Sequence, residues 1–526
     1  LDWWVIGGYL LAMLLLAAWL GRSQHSRRDY YLGGGLPAPA LATSILATQC
    51  STNSLLGAPA FVGFAAGGGM LWLQYELAVP LAMLGLAFLF PAIHRSGVIS
   101  IYGFLEQRLG RGARLAASSC FLFFRGVATG VTVYGVASVL ALITGIGYLP
   151  SVALLMGVTI TYDVMGGMRA VVISDVVQML LLVCAVLLSL VWLTPDLLAS
   201  SGALVERSHP LLNDWGTSGQ TNFGFWPMLF GGFFLYMAYY GCDQSQAQRL
   251  LAAGSARDLN RILLLNGLLR FPLVLAYCLL GLGLAAYALQ QPDFIATLPE
   301  TASGEPNLNL VFPSFVLREF APGLAGLAVV GLFAAAMSSI DSALNSLSAS
   351  TLEDFGPQGR DDAREDKGAE RRRFLLSKGA TLAWGLFAVG FSFSVEHIAS
   401  TLLEAINKVG SMANGPLLGL FAIAVAAPRV GSRRAVAAFF IGILCNAALW
   451  LFLPTLSWLW WNVVGCLATL VLALLQLRLP STRGTAAPAR EPAAAGFSVP
   501  PRKLTITLLL SFTLILLMLA IAQSYH

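Results

Sequence analysis

Ala334-Ala335-Ala336-Met337-Ser338-Ser339-Ile340-Asp341-Ser342-Ala343-Leu344-Asn345-Ser346 sets one carboxylate and a string of hydroxyls inside an apolar run. An acid at the centre of a bilayer costs roughly 2.5–3.5 kcal/mol on insertion scales, so its presence calls for a reason. Ser338, Asp341, Ser342 and Asn345 follow i, i+3, i+4, i+7 spacing and share one helix face. Together they offer the oxygen ligands that a hard cation such as Na⁺ prefers. A single serine in a membrane helix more often bonds the carbonyl one turn back or joins two helices. The acid, and the interrupted helices elsewhere in the chain, turn this face into a candidate ion site.

Working outward, the 526 residues are 57% hydrophobic and 11% charged, with a mean hydropathy of +0.75. Soluble domains carry about 25% charged residues, so the composition predicts a polytopic membrane protein, and repeated apolar windows make it all-α. The net charge of +5 is accounted for by basic cytoplasmic loops and calls for no nucleic-acid partner. Cys50, Cys120, Cys184, Cys242, Cys278, Cys445 and Cys466 lie in apolar segments without a CxxC pair. They read as small buried thiols rather than a disulfide or zinc framework. The first apolar stretch is too long for a signal-peptide core and lacks a cleavage site, which predicts a retained span.

Windows long enough to cross about 30 Å of hydrocarbon occur fourteen times, near 3–21, 38–58, 70–93, 115–144, 148–167, 170–194, 223–247, 258–289, 322–352, 374–394, 397–427, 433–453, 456–477 and 502–522. With the N-terminus outside, the inside loops collect all but five of the 31 basic residues. Arg249 is counted among the inside loops. Outside lie Arg207 and Arg318; Arg125, Arg270 and Lys408 fall within helices. Such alternation predicts both termini outside. Residues 353–378 read as a solvated charged loop and 480–501 as a flexible linker.

Two spans carry polar interruptions: Ala47-Thr48-Gln49-Cys50-Ser51-Thr52-Asn53-Ser54 ahead of Gly57 and Pro59, and Tyr236 through Gln246. Broken helices at corresponding places in two halves point to a transporter's midplane site. They are the second and seventh spans, an offset of five, as a five-helix inverted repeat requires. Among the other ionisable groups, Asp163, Glu404 and Lys408 read as helix-end residues that snorkel or meet a loop. Asp175 lies further inside its helix. Arg125 and Arg270 need acceptors within the bundle; Glu76 and Asp243 are available, and the sequence does not pair them.

Several motifs in order resemble the sodium/solute symporter family, which includes sodium-coupled sugar, proline, iodide, monocarboxylate and vitamin carriers. Tyr30 with Gly33-Gly34-Gly35 resembles the entry to its first core helix. The stretch from Tyr162 to Gln178, with Gly166-Gly167, Ala170-Val171 and Asp175, matches its Tyr-x₃-Gly-Gly-x₂-Ala-Val-x₃-Asp-x₂-Gln signature. Tyr240 to Arg249 is similar to its seventh-span pattern, Ser338-Ser339 with Asn345-Ser346 to its ninth, and Asn414 to Phe421 to its iodide, monocarboxylate and vitamin branch. The similarity runs from about residue 3 to 477.

The resemblance implies a LeuT-like five-plus-five inverted repeat with about 14 transmembrane helices: a peripheral helix and loop in 1–30, repeats in 31–195 and 196–428, and peripheral helices in 429–526. It implies Na⁺-driven import of a small organic solute by alternating access. The common sodium site would use the carbonyls of Ala47, Cys50 and Ala335 and the hydroxyls of Ser338 and Ser339. A second Na⁺, held by some members nearer the cytoplasm, would meet Asp175, Ser338, Asp341 and Ser342. Asp341 departs from a serine seen in part of the family, which would tighten such a site or let a proton compete.

The substrate positions implied are Asn53, Ser54, Glu76, Tyr236, Tyr239, Arg270 and Asn407 (or its neighbour Ile406). Tyr239 matches the inner-gate aromatic of the sugar carriers and Glu76 their third-span glutamate, but the other positions depart from their hydrogen-bond set, which counts against galactose-like recognition. The partners implied are a small-molecule substrate and the lipid bilayer, with no obligate protein partner, in a bacterial inner membrane. Competing readings are a proton-coupled carrier, favoured by Asp341 and Asp175, and a channel or transceptor without coupled transport. An enzyme is not expected: five histidines show no metal-like spacing, and no nucleophile–base pair is apparent.

Overall fold

The computed structural model describes residues 1–22, 24, 26–50, 52–211, 215–216, 223–300, 304–356, 367–395, 402–477 and 496–524. These are almost entirely helical, and ten helices among them are long and apolar enough to cross a membrane. The described parts of the fourteen apolar windows are mostly helical, and residues 397–401 of the window at 397–427 lie outside the described residues. The windows at 148–167 and 170–194 form one helical stretch, Tyr148–Ala199, interrupted only at Gly167 (φ 51°, ψ −162°). A side chain there would meet Tyr30: a Cβ would lie 2.6 Å from its ring and 2.8 Å from its carbonyl oxygen. The Gly-Gly pair is therefore the seat into which Tyr30 packs, and it ties the short Arg27–Leu32 helix to this long one.

Large apolar side chains such as Leu15, Trp19, Leu180, Val191, Leu474 and Leu514 stay exposed on the outer helices. In water such coverage would aggregate; facing acyl chains it is neutral. Lipid exposure also corrects the expectation of seven buried thiols. Cys184 is exposed and Cys120 and Cys445 are half-buried, while Cys50, Cys242, Cys278 and Cys466 are buried; all are free. An apolar window fixes where a thiol lies along the membrane, not which side of the helix it occupies.

At the centre stands the serine helix, Leu324–Phe355, the most enclosed of the ten. Every residue from Ala328 to Ser350 is buried. Facing it is the first broken helix, Ala38–Gln49 followed by Thr52–Phe64, with Cys50 at φ −81°, ψ 54° ending the first half. The second broken helix is Gly232–Cys242 followed by Gln244–Leu251. There Asp243 leaves the helical conformation, and its side chain accepts the Ser245 amide at 2.8 Å, an N-cap for the second half. Of the charged segment at 353–378 and the linker at 480–501, residues 357–366 and 480–495 lie outside the described residues.

Candidate functional site

The first broken helix ends against the serine helix, where the carbonyl end of one meets hydroxyls of the other. Ser338 Oγ donates to the Ala47 carbonyl at 3.2 Å and lies 3.0 Å from that of Ala335. Ser339 Oγ donates to the Thr48 carbonyl at 3.1 Å and sits 3.4 Å from the Ala335 oxygen. Ala47, Cys50, Ala335 and Ser338 line one small cavity, closed by Gln178, Met179 and Leu182 from the Tyr148–Ala199 helix. A helix carboxyl end carries partial negative charge. Two carbonyls and two hydroxyls gathered there supply the neutral oxygen set that a monovalent hard cation takes. The structure thus brings together Ala47, Ala335, Ser338 and Ser339, with Cys50 at the break.

Three neighbours escaped the sequence reading. Thr48 Oγ1 lies 3.0 Å from Ser342 Oγ and 3.4 Å from the Ser338 carbonyl. Thr52 Oγ1 donates to the Leu332 carbonyl at 3.3 Å across the break. Gln178 gives its amide N–H to Tyr9 Oη at 3.1 Å, while its buried Oε1 has no partner. The polar run 47–54 and the closing Gln of the Tyr162–Gln178 signature were visible in the sequence; their direction was not.

Of the four residues expected at a second cation, Ser338 belongs to the first site, and Asp175 and Ser342 are joined by Arg249. The Arg249 guanidinium bonds Asp175 Oδ2 at 3.2 Å, the Ser44 and Ser342 hydroxyls and the Ser245 carbonyl. Ser44 also donates to Asp175. Arg249 is 1% exposed, which overturns its placement in an inside loop: it is drawn inward by a buried carboxylate. Another unit charge about 4 Å from the guanidinium would meet roughly 4 kcal/mol of repulsion at an effective dielectric of 20.

Asp341 accepts the Ser342 amide at 2.6 Å through Oδ1, and its Oδ2 has no partner. Asp163 is fully buried, contrary to the helix-end reading. Its Oδ1 faces the Asn345 amide at 3.4 Å and its Oδ2 has no partner. The serine helix packs on the Tyr148–Ala199 helix, and Asn345 closes over Asp163 there. The side chains of Glu404 and Lys408 lie outside the described residues.

At the expected substrate positions, Arg270 and Glu76 form a two-pronged pair: Nε to Oε2 at 3.0 Å and Nη2 to Oε1 at 3.3 Å. Arg270 Nη1 reaches Cys50 Sγ at 3.0 Å. Tyr236 donates to Glu76 Oε1 at 3.1 Å; its ring packs 4.7 Å from that of Tyr75 and 5.9 Å from the guanidinium. Arg125 lies 3.9 Å from Asp243, a looser pair. Tyr239 is bonded by Gln246 at 3.0 Å, and Ser54 donates to the Gln49 carbonyl at 3.3 Å. The side chains of Asn53 and Asn407 lie outside the described residues. Buried and unpartnered in the bundle are also the Tyr240 and Tyr277 hydroxyls, Gln49 Oε1 and both amide atoms of Gln74. Among the described residues no three His, Cys, Asp or Glu side chains gather as a metal cluster.

Two broken helices in an apolar bundle, one with its carbonyl end against a serine-lined helix, define a secondary transporter. The model of the sodium:solute symporter family matches residues 30–442, and the chain belongs to that family. It is 29% identical over 445 residues to sodium-coupled monocarboxylate transporter 1 of Xenopus laevis, covering 82% of this chain and 68% of that one. Identity to a sodium/sialic acid symporter of Proteus mirabilis is 25% over 481 residues, or 90% and 93% of the two chains. Its fold is similar to that of a Na⁺-coupled sialic acid symporter solved in a substrate-bound outward-open state (TM-score 0.78, 24% identity, 91% and 98% coverage). Members of this family are transporters rather than enzymes, and this chain is a multi-pass membrane protein.

Proposed function

We propose that this chain imports a small organic solute with Na⁺ by alternating access. The observation that carries the reading is the convergence of the Ala47 and Ala335 carbonyls with the Ser338 and Ser339 hydroxyls. A cation bound there bridges the first broken helix and the serine helix, so its arrival and release bias whether the two stay together. Cys50 contributes its carbonyl at the break, and the free Gln178 oxygen completes the cavity wall. In this reading the bundle crosses the membrane fourteen times, with repeats in 31–195 and 196–428 flanked by 1–30 and 429–526. Both termini lie outside, in a bacterial inner membrane.

The cargo is a sugar, polyol, carboxylate or vitamin-like solute held near Asn53, Ser54, Glu76, Tyr236, Tyr239, Arg270 and Asn407. Because Glu76 already balances Arg270, that end of the pocket offers a neutral donor–acceptor pair rather than a free cation. Thermal-shift screening of sugars, carboxylates and amino acids with and without Na⁺ identifies the cargo as the compound that stabilises the chain only in sodium. Stabilisation that is indifferent to sodium for every compound argues against coupling. The second reading, a proton-coupled carrier, is favoured by the buried Asp341 and Asp175; it requires uptake driven by a pH gradient alone.

A further inference from the structure

The helix Ala256–Gln290 buries Arg270 and turns another face outward, where the helix Arg502–Ser524 lies along it. The two begin at the same end of the bundle. His94 meets the Ala253 carbonyl at 2.8 Å just ahead of the first, and Arg95 donates to Ser498 Oγ at 3.2 Å just ahead of the second. The Ser498 amide also bonds the Phe88 carbonyl at 3.0 Å. Further along they touch closely: a Cβ at Gly267 would lie 2.4 Å from a Leu508 side-chain carbon. Beside this contact they part around a groove of about 320 Å³, whose lining includes Leu268, Phe271, Pro272, Thr507, Ser511 and Leu514.

Charge is placed at one mouth of this groove. At about 3.6 residues per turn, Arg257 and Arg261 share the helix face of Leu268, Phe271 and Pro272, while Lys503 shares that of Thr507, Ser511 and Leu514. All three cations are exposed. Among the described residues, no carboxylate pairs with any of them. From Lys503 to Leu514 the helix rises about 16 Å, close to half of the roughly 30 Å of hydrocarbon in a bilayer. The groove therefore runs from a cationic mouth to the middle of the membrane, the reach of one acyl chain. The Thr507 hydroxyl lies one turn below Lys503, where a phospholipid's ester groups follow its phosphate. We infer that this groove seats one anionic phospholipid, its phosphate at Arg257, Arg261 and Lys503 and an acyl chain against Leu268, Pro272, Ser511 and Leu514. The apolar lining alone accepts any acyl chain; the unpaired cations select a headgroup of net negative charge. The inference holds whichever ion drives transport.

The test is retention of phosphatidylglycerol against phosphatidylcholine by the purified, delipidated full-length chain, counted by native mass spectrometry. The unaltered chain should keep one phosphatidylglycerol and bind phosphatidylcholine at least about tenfold more weakly. Changing Arg257→Gln, Arg261→Gln and Lys503→Gln together should weaken that lipid by the order of a hundredfold, about fivefold per cation. Arg371→Gln, Arg372→Gln and Arg433→Gln together remove three exposed cations of other helices and should leave it in place. Ser511→Phe, which fills the groove and spares the charge, should release it. Equal retention of the two lipids, equal losses from the two triple changes, or a lipid unmoved by Ser511→Phe overturns the inference. If the first triple variant does not fold, retention by the unaltered chain in about 1 M salt, where exposed charges are screened, decides in its place. Loss of phosphatidylglycerol there supports the seat, and undiminished retention overturns it.

Discussion

Ser338 and Ser339 differ in what they hold, though they adjoin in sequence. Ser338 faces the Ala47 and Ala335 carbonyls, and Ser339 reaches Thr48. Removing either hydroxyl takes one oxygen from the cation and leaves the helix intact, since alanine is the better helix former. Ser338→Ala and Ser339→Ala should each raise the Na⁺ concentration for half-maximal uptake by about tenfold or more, with little change in melting temperature. Sodium dependence unchanged in both would remove the site. Glu76 shows the opposite balance. Glu76→Gln leaves Arg270 buried without its counter-charge and should destabilise the chain by about 3–5 kcal/mol. The double change Glu76→Gln with Arg270→Gln should recover much of that loss, measured as thermal unfolding in detergent. The sequence named both residues but not their pairing, because partners 194 positions apart meet only through the fold. In sequence Asp163 resembles a helix-end residue because it stands beside a Gly-Gly break, whereas in the structure that break lies buried within the Tyr148–Ala199 stretch.

The break at Gly167 decides how two elements meet. Its positive φ is a conformation that L side chains resist, and Tyr30 fills the space a Cβ would need. Gly167→Ala should therefore cost of the order of 1–3 kcal/mol and displace Tyr30, whose hydroxyl lies 3.0 Å from Thr381 and bonds the Asp163 carbonyl at 3.3 Å. The check is the melting temperature of Gly167→Ala beside Gly157→Ala, where a Cβ meets nothing within 4 Å; equal losses would contradict this role. The broken helices were legible because polar residues and Pro interrupt apolar runs. The inward course of Arg249 was not. Its helix, Gln244–Leu251, is buried along its whole length yet carries only Ala247, Leu250 and Leu251 as apolar residues, so hydropathy assigns Arg249 to a loop while ion pairing with Asp175 draws it into the core.

At the scale of the molecule, charge distribution and coupling are the properties to test. The basic segments lie on one side in the fourteen-crossing reading, so cysteines introduced at Arg257 and Arg433 should react with a membrane-impermeant thiol reagent only after the membrane is opened. One at Arg318 should react in intact cells; the reverse pattern inverts the topology. Composition and motif order disclosed the membrane class and the family, because both depend on residue type and spacing along the chain. The cargo stayed hidden, because recognition depends on which buried donors and acceptors converge from distant helices. In the proposed mechanism the oxygens of Ala47, Ala335, Ser338 and Ser339 couple sodium to solute movement. That coupling is read out by uptake into proteoliposomes of the solute found by thermal shift, under an imposed Na⁺ gradient or an imposed pH gradient. Inward Na⁺ should drive accumulation in the unaltered chain, and Ser339→Ala should abolish it without preventing reconstitution. Accumulation driven by the pH gradient alone, or an undiminished Na⁺ response in Ser339→Ala, would contradict coupling through these oxygens.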